Sequence, residues 1–265
     1  MLKRIGLILV ITWIVLCMIG IWLIGGQIAA YLWNFSVFIM APCGLILCVC
    51  SIILFVRSWR GKKQIRWNVI YFICFFILAL PITVLFGISP VTYPRKEKPE
   101  DGVSLLVPVR EAVLYGGEDY RTHAMWPSEC YAYDILRNPY EVGSNKLSDY
   151  GIYGADIQAP ISGTVIGVEE DEPDIEPGSD QYSTSLGNYI FIKIDETDTY
   201  LILAHLQQNS ILVTVGSHIE EGTIIGKVGN SGTTSEPHLH IQHQRNNPLN
   251  MRIPICAEGL PIQFY

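Results

Sequence analysis

The sequence predicts three transmembrane α-helices followed by an all-β domain of short strands in a barrel-sandwich. Three observations carry this expectation. First, 49% of the 265 residues are hydrophobic and only 16% charged, with a mean hydropathy of +0.29, whereas a soluble domain carries about 25% charged residues. Second, the charge is divided by position. Residues 1–94 hold seven Lys/Arg and no acid, while residues 95–265 hold eleven Lys/Arg and all 25 acids, so +7 faces −14 within a net charge of −7. Such asymmetry points to a membrane segment joined to an acidic soluble domain, and an acidic domain repels the phosphates of a nucleic acid. Third, the acidic part is built from alternating or β-branched runs bounded by Gly, Pro or Asn, the pattern of strands and turns.

The helices come first. No charged residue and no histidine occurs from Ile5 to Val56, and a span needs roughly 20 apolar residues, so two helices fit, near 5–25 and 30–56. Gly25, Gly26 and Gln27 mark the turn between them. A third uncharged run, Trp67–Ile88, carries Pro81, which kinks a membrane helix without excluding it. Lys3 and Arg4 precede the first span, five basic residues lie in Arg57–Arg66, and the first connecting loop has none. Basic flanks stay in the cytoplasm, so the N-terminus is expected inside and everything beyond Ile88 outside. A cleaved signal peptide is the rival reading of the first run. Five of the seven cysteines lie in the spans, where a thiol acts as a small apolar group. Cys130 and Cys256 alone lie beyond them and are expected to stay unpaired.

Residues 89–102 contain three prolines and six charged residues and read as a stiff linker. Residues 103–265 suffice for one core. Strands are expected at Val103–Val109, Tyr131–Leu136, Gly163–Val168, Asn188–Ile194, Tyr200–Leu206, Ile224–Val228 and His238–Gln242, with no amphipathic helix. Gly216, Gly222, Gly226, Gly229 and Gly232 recur between short apolar pairs, so the chain reverses every few residues, as in compact lipoyl-type barrel-sandwiches. Residues 169–181 hold seven acids and two prolines and read as a solvated loop, a calcium or cationic-substrate role being the alternative.

All six histidines fall in this part: His123, His205, His218, His238, His240 and His243. In Pro237-His-Leu-His-Ile241, His238 and His240 share one strand face while Leu239 and Ile241 enter the core. Alone, His-x-His is a weak metal signature. Tyr131-Ala-Tyr-Asp134 places a carboxylate on an apolar strand, where an unpaired charge is expensive, and Ala204-His205-Leu206 does the same with an imidazole. Zinc takes N and O ligands and, in catalytic sites, leaves one position open. His218 reads as an exposed turn residue, and His243 as a surface or supporting residue facing away from the site.

His123…Tyr-Ala-Tyr-Asp134, Gly154-Ala-Asp-Ile-Gln-Ala-Pro-Ile-Ser-Gly-Thr-Val165, Gly187-Asn-Tyr, Leu203-Ala-His205-Leu, Val228-Gly-Asn-Ser-Gly232 and Pro237-His-Leu-His240 resemble, in order, the M23 zinc metallopeptidases, the lysostaphin-like endopeptidases of bacterial peptidoglycan. The resemblance spans roughly 103–245. It implies a lysostaphin-like duplicated hybrid motif, zinc (Zn2+) held by His123, Asp134 and His240, catalysis by His205 and His238, and a peptidoglycan peptide as substrate. One departure stands out: many members have His four residues before the Asp, and here the interval is eleven. Asp156 competes for the role, but Ile152 stands four residues before it. The expected function is thus a membrane-anchored zinc endopeptidase facing outward. A catalytically inactive binding module of the same fold, or a histidine phosphocarrier of related fold, are the alternatives.

Overall fold

The computed structural model describes residues 2–61, 65–95, 102–116 and 121–265. Parts of the expected basic loop (62–64) and of the expected linker (96–101) lie outside the described residues. The chain forms two compact units, one within residues 1–96 and one within 97–265.

In the first unit α1 (Leu2–Ile19) ends in a π-helical turn, Gly20–Ile24. The chain breaks at Gly25, whose φ of 76° suits only a residue without a Cβ. Next come α2 (Gly26–Phe35), a second π turn at Ser36–Met40, and α3 (Ala41–Gly61). The second helical run therefore starts earlier than expected, because Gly26 onward winds into helix directly after the reversal. Then α4 (Ile65–Ala79) tightens into a 3₁₀ segment, Leu80–Phe86. Pro81, lacking an N–H, cannot continue the α ladder there. Three runs, Ile5–Ile24, Gly26–Arg57 and Ile65–Phe86, are long and apolar enough to cross a membrane. Where α3 meets α4, Gly44 has no room for a side chain: a Cβ would lie 2.8 Å from the Ala79 nitrogen and 3.0 Å from the Phe75 oxygen. Small residues at such crossings let helix backbones approach closely.

The second unit is mostly antiparallel sheet. Its strands are β1 (Val103–Leu105), β2 (Val113–Gly116), β3 (Tyr133–Leu136), β4 (Asp156–Gln158), β5 (Gly163–Glu169), β6 (Asn188–Ile194), β7 (Tyr200–Leu206), β8 (His218–Ile219), β9 (Ile224–Lys227), β10 (Leu239–Gln244) and β11 (Ile262–Phe264). Seven of them form one sheet in the order β2-β3-β10-β7-β6-β5-β8, and β1-β11 and β4-β9 form separate pairs. The short α5 (Arg121–Ala124) precedes β3. Alternation drives the packing. Val165, Ile190, Ile192, Leu201, Leu203, Leu239 and Ile241 are all buried in one core cluster. Because β10 lies between β3 and β7, the opposite faces of these three strands meet.

The β-rich expectation holds, and the runs at 163–168, 188–194, 200–206, 224–228 and 238–242 all contain strands. The first two expected runs shorten to three and four residues. The strands β2, β4, β8 and β11 were not anticipated. Each has two to four residues, too few to show a period, and exists because a partner strand pairs with it. Cys130 and Cys256 are buried and form no disulfide.

Two side-chain expectations need correction. His243 faces away from His240 as expected, yet it is buried, not at the surface. Thr199 Oγ1 lies 2.7 Å from its Nε2 and the Pro261 oxygen 3.1 Å from its Nδ1, so two hydrogen bonds offset the burial of its ring. The acidic stretch 169–181 is not simply solvated, since Glu172 and Ile175 are buried within it.

The helical unit generates the first prediction. Gly44→Val should destabilise it by about 1–3 kcal/mol through overpacking, read as a lower melting temperature of the full chain in detergent. Gly6→Ala, where nothing lies within 4 Å of the added carbon, should leave the melting temperature unchanged or slightly raised. Equal behaviour of the two variants would contradict the close crossing.

Candidate metal centre

The site is assembled by strand pairing. In the antiparallel register of β3 and β10, Asp134 lies directly opposite His240, so the two side chains project on one face. His240 Nδ1 approaches Asp134 Oδ1 at 3.0 Å. The α5 turn brings His123 over the same carboxylate, its Nε2 3.5 Å from Asp134 Oδ2, and the His123 and His240 rings meet edge-on at 4.9 Å. One ligand atom from each of His123, Asp134 and His240 lies within 4.8 Å of the others, and all three residues are buried.

The second pair of imidazoles stands beside them. His238 Nε2 lies 3.6 Å from Asp134 Oδ1, and the His205 and His238 rings are 4.6 Å apart. Each ring is fixed by a backbone carbonyl. His205 Nδ1 lies 2.8 Å from the Ser231 oxygen, and His238 Nδ1 lies 2.8 Å from the Glu236 oxygen. A carbonyl only accepts, so both Nδ1 atoms carry a proton, and in the neutral ring Nε2 keeps the lone pair.

His205 reaches this position by a bulge. The pairing of β6 with β7 shifts at this point, Asn188 facing Leu206 and Tyr189 facing Ala204, which leaves His205 as the extra residue. Its φ is 64°, a left-handed conformation costly for a residue with a Cβ, and such strain concentrates at functional sites. Its own N–H donates to the Leu186 oxygen at 3.0 Å.

The electrostatics divide the roles. Burial, reinforced by His240, pushes the His123 imidazole down to about 4, so it is neutral at pH 7. Burial, then His238 and His240, hold His205 well below the ordinary imidazole value. Burial alone would raise Asp134, but the imidazoles of His238, His240 and His123 outweigh it and keep the carboxylate ionised, well below its usual range. For His240, burial is outweighed by the hydrogen bond to Asp134, and its pKa rises.

The five residues line a cleft of about 480 Å³, together with Tyr115, Glu129, Glu141, Ser185 and Glu236. Burial raises the Glu129 carboxyl. All five expected site residues therefore come together. His218 does not: it is exposed and pairs with Asp195 at 2.8 Å. Asp156 is exposed too, bonded to Lys227 Nζ at 2.6 Å, outside the cleft. The carbonyls of Ser231 and Glu236 gave no signal in the sequence, because their roles depend on loop conformation, although Ser231 stands inside Val228-Gly-Asn-Ser-Gly232. Glu129 lies five residues before Asp134 and carried no periodic signal.

Residues 147–251 match the family model described as Peptidase family M23. The chain carries an M23 peptidase domain. The matched residues include His205, His238 and His240, while His123 and Asp134 lie upstream of them. The chain is 34% identical over 106 residues to the peptidoglycan DD-endopeptidase ShyC of Vibrio cholerae, covering 38% of this chain and 23% of that protein. It is 32% identical over 153 residues to endolysin 2638A of Staphylococcus phage 2638A, covering 56% and 29%. The chain thus spans less than a third of the length of these curated relatives. Among solved structures it is similar to the catalytic domain of lysostaphin from Staphylococcus simulans, at 22% identity and a TM-score of 0.32 over 49% of this chain and 74% of that one. It is also similar to a zinc-containing peptidase of Vibrio cholerae, at 27% identity and a TM-score of 0.27 over 34% and 24%.

The M23 domain leaves no space at Gly187. Its φ is 60°, and a Cβ would lie 2.3–2.5 Å from Ser231 atoms, including the carbonyl carbon whose oxygen holds His205. Gly178 has a similar φ of 73° with nothing within 4 Å. Gly178→Ala should cost only the left-handed strain, about 1–2 kcal/mol. Gly187→Ala should cost more in melting temperature and displace Ser231. Equal losses would mean that the contact with Ser231 is unimportant.

Proposed function

We propose that the chain is a membrane-anchored zinc endopeptidase that hydrolyses peptide bonds in the cross-links or stem peptides of bacterial peptidoglycan, outside the cytoplasm. One observation carries this reading: two imidazoles and a carboxylate converge within 4.8 Å at the wall of a cleft that also holds two tautomer-fixed imidazoles. The donor set suits zinc. Ligands about 2 Å from one ion stand roughly 3.3 Å apart at tetrahedral angles, comparable to the 3.0 and 3.5 Å separations around Asp134. Neutral His123 and ionised Asp134 are in the protonation states that metal ligation needs. The proton between His240 Nδ1 and Asp134 is the one an ion would displace. The peptidoglycan substrate is supported by the M23 domain and by the DD-endopeptidase named among the relatives.

His123, Asp134 and His240 would hold the zinc ion, which would supply Lewis acidity for hydrolysis. The chain does the rest. His205, kept neutral by burial, offers Nε2 as acceptor for the proton of an attacking water, while Ser231 holds the ring through Nδ1. His238, anchored on the Glu236 carbonyl, offers a second Nε2 beside Asp134, suited to taking a proton and, once it carries one, to returning it or donating to the developing oxyanion. His240 Nε2 points to Gln242 Oε1 at 3.3 Å, a contact that orients the ligand ring.

Zinc analysis with digestion of purified muropeptides by the full chain tests this. Asp134→Ala and His240→Ala should lose both metal and hydrolysis, and Asp156→Ala should keep both. His205→Ala should retain stoichiometric zinc and lose about 10²–10⁴-fold in rate. Metal loss in Asp156→Ala but not Asp134→Ala would overturn the ligand set. A wild-type chain that binds zinc without cutting any muropeptide would favour the inactive binding module.

Orientation rests on the basic flanks, Lys3-Arg4 and Arg57–Arg66. A reporter active only outside the cytoplasm should work when fused after Gly102 and stay silent after Lys63. The reverse pattern would place the M23 domain in the cytoplasm and remove its access to the wall.

A further inference from the structure

The acidic stretch 169–181 contains a carboxylate the mechanism does not use. Glu172 is buried, and a buried charge is tolerated only when hydrogen-bonded. Its partners are specific. Oε1 accepts from the Ser183 and Thr184 backbone N–H groups at 2.7 and 3.2 Å, and Oε2 accepts from Thr184 Oγ1 at 2.7 Å. Thr184 Oγ1 in turn accepts from the Gly187 N–H at 3.1 Å. The carboxylate therefore closes the turn 183–187, whose Leu186 oxygen receives the His205 N–H.

A second route leads from the same residue to the other side of His205. The fully buried Asn188 accepts from the Glu172 N–H through Oδ1 at 2.9 Å. Its Nδ2 donates to the main-chain oxygens of Glu172 at 2.7 Å and Leu206 at 3.0 Å. The Asn188 N–H donates to Ser231 Oγ at 2.9 Å, and Ser231 Oγ donates to the Leu206 oxygen at 2.8 Å. Ser231 is the residue whose carbonyl fixes the His205 ring. Both the backbone and the imidazole of this strained residue are thus tied, within a few hydrogen bonds, to Glu172.

We propose that Glu172 is a positioning residue for His205, its carboxylate bracing the turn 183–187 while its main chain ties that carboxylate through Asn188 to the Ser231 segment, so that His205 Nε2 is held towards the cleft. The acidic stretch then serves the active site from within the fold. A left-handed bulge residue has other conformations within reach, and rigid partners on both sides keep it in this one. This inference rests on the reading that His205 takes part in hydrolysis.

The test is a double-mutant cycle on the full chain in detergent, with muropeptides as substrate and zinc content measured for each variant. Glu172→Gln preserves shape but leaves one oxygen to accept where two did. It should keep stoichiometric zinc, hold KM within about twofold and lower kcat by about tenfold or more. In a His205→Ala background, where long incubations read the residual rate, the same substitution should change kcat by less than about twofold, because the residue it positions is gone. An unchanged kcat for Glu172→Gln alone, loss of zinc, or the same fold loss in both backgrounds would overturn the proposal. Should Glu172→Gln not fold, Thr184→Val removes only the hydroxyl between Glu172 and Gly187. It should show the same pattern at about threefold, with Thr184→Ser restoring the rate, and it is overturned by the same outcomes. A near-normal rate in His205→Ala would instead sink the role of His205, a failure distinct from that of Glu172.

Discussion

The buried carboxylate of Asp134 on β3 constrains the rest of the second unit. It is buried, and its solvation is replaced by imidazoles: His240 at 3.0 Å, His123 at 3.5 Å and His238 at 3.6 Å. Those contacts exist only if β3 and β10 keep the register that sets Asp134 opposite His240. A slip of one residue would turn the carboxylate into the hydrophobic layer containing Ile135, Leu239 and Ile241 and expose the apolar set in its place. The electrostatic cluster and the apolar core therefore enforce the same pairing.

The opposite edge of the site is held by strain and by lack of side chains. His205 sits at φ 64° on a bulge, and the chain accommodates it because the segments beside it come unusually close. Gly187 and Gly232 approach each other so nearly that a Cβ on Gly232 would lie 2.4 Å from the Gly187 nitrogen. Glycine at both positions admits the left-handed backbone and the contact together. Two loops can then press against the bulge and fix the imidazole without occupying the cleft.

The first unit follows different rules. Many of its large apolar side chains are exposed, Leu23, Leu9 and Ile46 among them, and its specificity comes from close helix crossings such as that at Gly44 and from edge-on aromatic contacts among Trp22, Trp33 and Tyr93. Exposed apolar faces of this extent suit a hydrocarbon solvent, which accords with runs long enough to cross a membrane.

Much of this was legible in the residues alone. Composition and charge separated the two units, the longer alternating runs marked β5, β6, β7 and β10, and His-x-His beside a carboxylate and an imidazole on apolar strands marked the site. These signals are local, set by periodicity and by the cost of placing a polar group in an apolar run. What the sequence could not determine was whatever depends on a partner distant along the chain. The short strands β2, β4, β8 and β11 exist through pairing rather than pattern. His243 is buried because Thr199 and Pro261 reach it, and Glu172 is buried because the turn at 183–184 surrounds it with donors. The choice of Asp134 over Asp156 as the carboxylate in the cleft is likewise tertiary. Both stand on short strands, but β3 pairs with β10 and delivers Asp134 to the histidines, whereas β4 pairs with β9 and leaves Asp156 in solvent beside Lys227. Strand order and register decided that, because together they determine which side chains from distant segments share a face.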